Sequence, residues 1–146
     1  MNGEATAADQ SVLLVEDDAS SLGAMLECLV REGFRVTTAA SGADALEAVG
    51  RSRFDAFVID VFLPDAGGLG VARQLSRLCG QASIPVVFVT ALSLAGVSEA
   101  LSPAPVLFKP FRRRQLVDSI RQVMKRPPAN LGHIRPLREA GSADQA

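Results

Sequence analysis

Five short strand-like runs along the first 109 residues constrain this chain more than any other feature. Val12, Leu13, Leu14 and Val15 give way at once to Glu16, Asp17 and Asp18. Residues 34–39 read as a second short strand, and 54–59, 85–90 and 106–109 as three more, leading to Asp60, Thr90 and Lys109. The length and β-branched content of the first run suit a strand buried on both faces, and 54–59 also reads as a buried strand.

Helical periodicity fills the intervals. Leu22, Met25, Leu26, Leu29 and Val30 mark a helix over residues 19–31, stopped by Gly33. Ser41 is an N-cap candidate for residues 43–49. Leu69, Ala72, Leu75, Leu78 and Cys79 predict a third helix, after a turn-rich segment at 62–68. Residues 94–101 hold a short fourth. Val117, Ile120, Val123 and Met124 define the last, from Arg112 to Pro127 and Pro128. Five strands alternating with five helices predict an α/β fold, a doubly wound five-stranded parallel sheet with helices on both faces.

Residues 1–10 read as a flexible lead-in, 11–126 as the domain and 127–146 as a disordered tail without periodicity. Residues 1–108 carry six basic and thirteen acidic side chains, whereas 109–146 carry nine basic and three acidic. A solvated basic helix and tail is the ordinary reading of that asymmetry. Arg112, Arg113 and Arg114 oppose the helix dipole, a hint of further use. Trp and Tyr are absent, so a base-stacking surface is poorly supplied and a nucleic-acid role is not favoured. Cys28 and Cys79 lack metal-ligand spacing and read as reduced thiols. No apolar run reaches transmembrane length and no signal peptide precedes the domain, which predicts a cytoplasmic protein without membrane contact.

In a parallel sheet, Glu16, Asp17, Asp18, Asp60, Thr90 and Lys109 gather at one edge, where such folds bind ligands. Crowded carboxylates need a compensating cation, and Mg²⁺ suits a few carboxylates, water and phosphate oxygens. A carboxylate there can attack phosphorus, with ammonium and hydroxyl stabilising the transferring group. Asp18 reads more simply as a helix cap.

These residues resemble the receiver domain of two-component response regulators, over roughly residues 11–126. The resemblance rests on residues 12–18, on 60–64 followed by Gly67 and Gly68, on 89–91 and on 109–111. It implies the flavodoxin-like receiver fold, with Asp60 as phosphoacceptor for a histidine kinase or phosphotransfer protein. Asp17 would bind Mg²⁺ directly, Glu16 through water, and the Phe62 backbone carbonyl would be another ligand. Thr90 and Lys109 would contact the phosphoryl group, and the Lys109–Pro110 bond would be cis. Apolar Phe62 and Leu92 imply slow self-hydrolysis.

Two departures stand out. Val106 replaces the aromatic residue common three positions before the lysine, and the stretch from Thr90 to Lys109 is short, so a truncated fourth helix is expected. The segment after Arg126 is too short for an output domain, so a stand-alone regulator is expected, acting on a downstream protein or in a phosphorelay; a homodimer is left open. The alternative is a receiver-like interaction module independent of phosphorylation. A phosphatase is disfavoured, because its acid–base candidate, Asp65, stands five residues after Asp60.

Overall fold

Burial on both faces unites β1 (Ser11–Val15), β3 (Ala56–Asp60) and β5 (Val86–Thr90), in which every residue but Ser11 is buried. The computed structural model describes residues 10–64, 66–81, 83–91, 96–126 and 128–131. The three strands occupy the centre of a five-stranded parallel sheet. The flanks are β2 (Arg35–Ala39) and β6 (Val106–Phe108), in the order β2-β1-β3-β5-β6. The edge strand β2 is correspondingly more polar and exposed.

Strand alternation divides the core into two layers. Leu13, Val15, Phe57, Ile59, Val86 and Phe88 pack on one face. They meet α2 (Gly42–Arg51), α3 (Gly67–Leu78) and α4 (Val97–Leu101). Val12, Leu14, Val58, Val87 and Val89 pack on the other, under α1 (Ala19–Arg31) and α5 (Arg113–Lys125). Met25 and Leu29 of α1 and Leu116, Val117 and Ile120 of α5 are the buried side chains of those helices.

The helix boundaries follow local chemistry. The Asp18 carboxylate accepts from the Ser21 N–H at 2.8 Å and starts α1. The Ser41 hydroxyl accepts from the Asp44 N–H at 3.1 Å and starts α2. Past α1, Gly33 takes a φ of 98° that side chains disfavour. The short fourth helix is as expected where it is described; residues 94 and 95 of its predicted span lie outside the described residues.

Two expectations change. The third strand starts at Ala56 rather than residue 54. Phe54 packs edge-on against Phe57 at 6.0 Å, and the Asp55 carboxylate accepts from the Ser11 N–H at 2.8 Å, so both side chains bind ahead of the ladder. Residues 128–131, within the segment expected to be a disordered tail, are ordered against the domain. Residues Ala129–Asn130 form β7, antiparallel to β4 (Ser83–Ile84), and Leu131 is buried at 1% exposure beside Leu75 and Ile84. Arg73 donates from Nε to the Leu131 carbonyl at 3.0 Å. A buried leucine, a short strand pairing and one side-chain hydrogen bond together anchor this segment on the core, which periodicity could not reveal. Residues 132–146, His133 included, lie outside the described residues. Among the described residues, no helix is long and apolar enough to cross a membrane.

Candidate functional site

The sheet order places the topological switch between β1 and β3, which pair in parallel from Val12↔Ala56 to Val15↔Ile59. From β1 the chain turns to β2 on one side, and later enters β3 on the other. Ligand crevices of open α/β sheets form there, beyond the carboxyl ends of the strands. Glu16 and Asp17 leave the end of β1 at this point, and Asp60 ends β3. Thr90 ends β5, pairs with Phe108, and its carbonyl accepts from the Lys109 N–H at 2.8 Å.

Glu16 is fully buried, Asp60 is 8% exposed and Thr90 is fully buried, whereas Asp17 is exposed. The Lys109 ammonium is ion-paired with Glu16 and stands 3.5 Å from Asp60 Oδ2. Glu16 Oε2 accepts from the Asp18 N–H at 3.2 Å, and Asp60 Oδ1 accepts from the Phe62 N–H at 2.9 Å. Burial, reinforced by neighbouring Asp60, pushes the Glu16 carboxyl up to about 7 from 4.5, and the Lys109 ammonium opposes the shift.

Glu16, Asp17 and Asp60 each offer a carboxylate oxygen, and these lie within 4.8 Å of one another. One ammonium cannot balance three carboxylates. The all-oxygen donor set, with one member open to solvent, fits a hard divalent cation that keeps several waters. The arrangement also leaves one carboxylate, Asp60, close to a cation and next to a strand that ends in a buried hydroxyl, Thr90.

Of the sequence-predicted site residues, Glu16, Asp17, Asp60 and Lys109 come together directly, with Thr90 at the neighbouring strand end. Asp18 caps α1, as its simpler reading held. The Lys109–Pro110 bond is cis, as is Ser102–Pro103, which was not foreseen. Asp65 and Leu92 lie outside the described residues. Two features escaped sequence reasoning. Ser21 Oγ accepts from the Lys109 ammonium at 3.2 Å, with no motif to mark it. Gly68 packs on the backbone of Asp60, where a Cβ would stand 2.0 Å from the Asp60 carbonyl oxygen. The paired glycines hinted at a turn but not at this close approach.

Fold and crevice define a doubly wound, flavodoxin-like α/β domain with an acidic pocket at its switch point. The model of the response regulator receiver domain matches residues 12–121, and the chain belongs to that family. It is 36% identical over 121 residues to the transcriptional regulatory protein AfsQ1 of Streptomyces coelicolor, covering 80% of this chain and 52% of AfsQ1. It is 30% identical over 116 residues to the response regulator receiver protein CpdR of Brucella abortus, covering 77% of this chain and 95% of CpdR. The chain spans about half the length of the first curated relatives it matches. The receiver domain of the sensor histidine kinase PA1611 of Pseudomonas aeruginosa superposes with a TM-score of 0.69 at 29% identity, over 80% of this chain and 98% of that one. That structure has a magnesium ion coordinated in its active-site cleft.

Proposed function

We propose that this chain is a phosphoacceptor switch in which Asp60 takes a phosphoryl group from a phosphohistidine of a histidine kinase or phosphotransfer protein. One observation carries the reading: Asp60 is clustered with two further carboxylates and stands 3.5 Å from the Lys109 ammonium. An Asp60 carboxylate oxygen forms the new bond to phosphorus. The phosphorus–nitrogen bond of the donor breaks, its electron pair returns to the imidazole, and an aspartyl-phosphate remains.

Asp17, Asp60 and the Phe62 carbonyl would hold Mg²⁺ directly and Glu16 through water, and the ion would supply charge neutralisation for the phosphoryl oxygens. Lys109 orients toward those oxygens and offsets their charge. The Thr90 hydroxyl donates to one of them, and its movement changes the surface near β6. The Phe62 N–H, which donates to Asp60 at 2.9 Å, holds the nucleophile's second oxygen in place. Half-buried Phe62 shields the product from water and slows its hydrolysis. Output is by binding a downstream protein or by relay, in the cytoplasm.

Incubation with Mg²⁺ and acetyl phosphate is expected to add one phosphoryl group by intact mass, and Asp60→Asn to abolish the addition. An unmodified wild-type mass, with beryllofluoride also failing to bind, would overturn the reading.

A further inference from the structure

A lysine ammonium has three N–H donors and no acceptor. Around Lys109 Nζ the described residues offer three acceptors: Glu16, Asp60 Oδ2 at 3.5 Å and Ser21 Oγ at 3.2 Å. The first two belong to the acidic pocket. Ser21 stands outside it, on the first turn of α1. Its backbone N–H donates to Asp18 Oδ2 at 2.8 Å, and the Asp18 N–H donates to Glu16 Oε2 at 3.2 Å. Four hydrogen bonds thus close a ring from Glu16 through Asp18, Ser21 and Lys109 back to Glu16.

We propose that Ser21 is a positioning residue whose hydroxyl, fixed by the N-cap of α1, holds the Lys109 ammonium at Asp60. The proposal rests on the phosphoacceptor reading and names what aims the lysine. Glu16 and Asp60 both belong to the carboxylate cluster that suits a metal, so neither is a constant partner for the ammonium. Ser21 is neutral, lies outside that cluster and keeps its lone pairs whatever the charge state of the pocket. The lysine stem is flexible, and a cation stabilises developing charge best when it is oriented beforehand. A hydroxyl on a capped helix supplies that orientation.

Lys109 and Lys125 are the two lysines of the chain, so Lys125→Arg assigns the side-chain ammonium signals of an isotope-labelled sample. In Ser21→Ala the Lys109 ammonium protons are expected to exchange faster with water, and in Ser21→Thr to match wild type. With acetyl phosphate and Mg²⁺, Ser21→Ala is expected to lower the saturating rate of phosphoryl uptake about threefold to tenfold. The half-saturating donor concentration and the calorimetric Mg²⁺ affinity should stay near wild type, and Ser21→Thr should recover the rate. Wild-type uptake by Ser21→Ala overturns the proposal, whether or not the Lys109 exchange changes. Equal slowing in Ser21→Thr overturns it too, because that marks a packing role. If wild type itself takes up no phosphoryl group, the phosphoacceptor reading falls separately, and the exchange comparison still decides whether Ser21 holds Lys109.

Discussion

Gly68 and Asp60 are in backbone contact. A Cβ at residue 68 would lie 2.0 Å from the Asp60 carbonyl oxygen and 2.9 Å from the Val61 Cα, and the Gly68 N–H donates to the Val61 carbonyl at 2.7 Å. The start of α3 therefore sets the backbone that carries Asp60.

Gly68→Ala must push α3 away from the end of β3. The expected cost is about 1–3 kcal/mol, typical of an overlap that backbone has to absorb. Urea unfolding followed by circular dichroism checks it, since the chain has no Trp or Tyr to report by fluorescence. Phosphoryl uptake at low temperature, where the variant is folded, should fall as well. Wild-type stability would show that the contact relaxes freely.

Leu131 fills the core from beyond α5, at 1% exposure. Leu131→Ala should cost about 2–4 kcal/mol, the range for a buried leucine whose cavity cannot fully close. Removing residues 127–146 should cost at least as much, and Arg73→Ala less. Equal midpoints for the full and shortened chains would show that this segment adds nothing to stability.

The Glu16 carboxyl is raised to about 7 from 4.5. Its folded state favours the proton, so its contribution to stability is complete below about 4.5 and is lost as pH rises through about 7. In EDTA, wild type should lose stability between those limits, and Glu16→Gln should flatten the loss. A divalent cation favours the ionised form, so Mg²⁺ affinity should rise with pH through the same window and binding should release protons. Titration calorimetry in buffers of different ionisation enthalpy reads the proton count; none released would contradict the assignment.

Lys109→Met removes the cation paired with buried Glu16 and close to Asp60. Losing one partner of a buried pair typically costs about 3–5 kcal/mol. Glu16 can escape by taking a proton, so the loss should be larger at high pH than at low pH. Mg²⁺ should restore part of it. Denaturation midpoints at both pH values, with and without Mg²⁺, provide the check, and a pH-independent loss would locate the effect elsewhere.

Local pattern alone determined much of this protein. The runs that became β1, β3 and β5 are apolar without alternation because they are buried on both faces, and that is written in consecutive residues. Glu16, Asp17, Asp60, Thr90 and Lys109 follow their strands, so a parallel sheet had to bring them to one edge. Tertiary structure decided the rest. Lys109 meets Glu16 across 93 residues and Ser21 across 88, and neither separation leaves a periodic trace. The same holds for Leu131, whose burial depends on β7 finding β4, and for Gly68, whose missing side chain matters only because Asp60 lies behind it. Periodicity records which face of an element is buried. It cannot record which distant atom stands against that face, and the pocket's charge balance depends on those contacts.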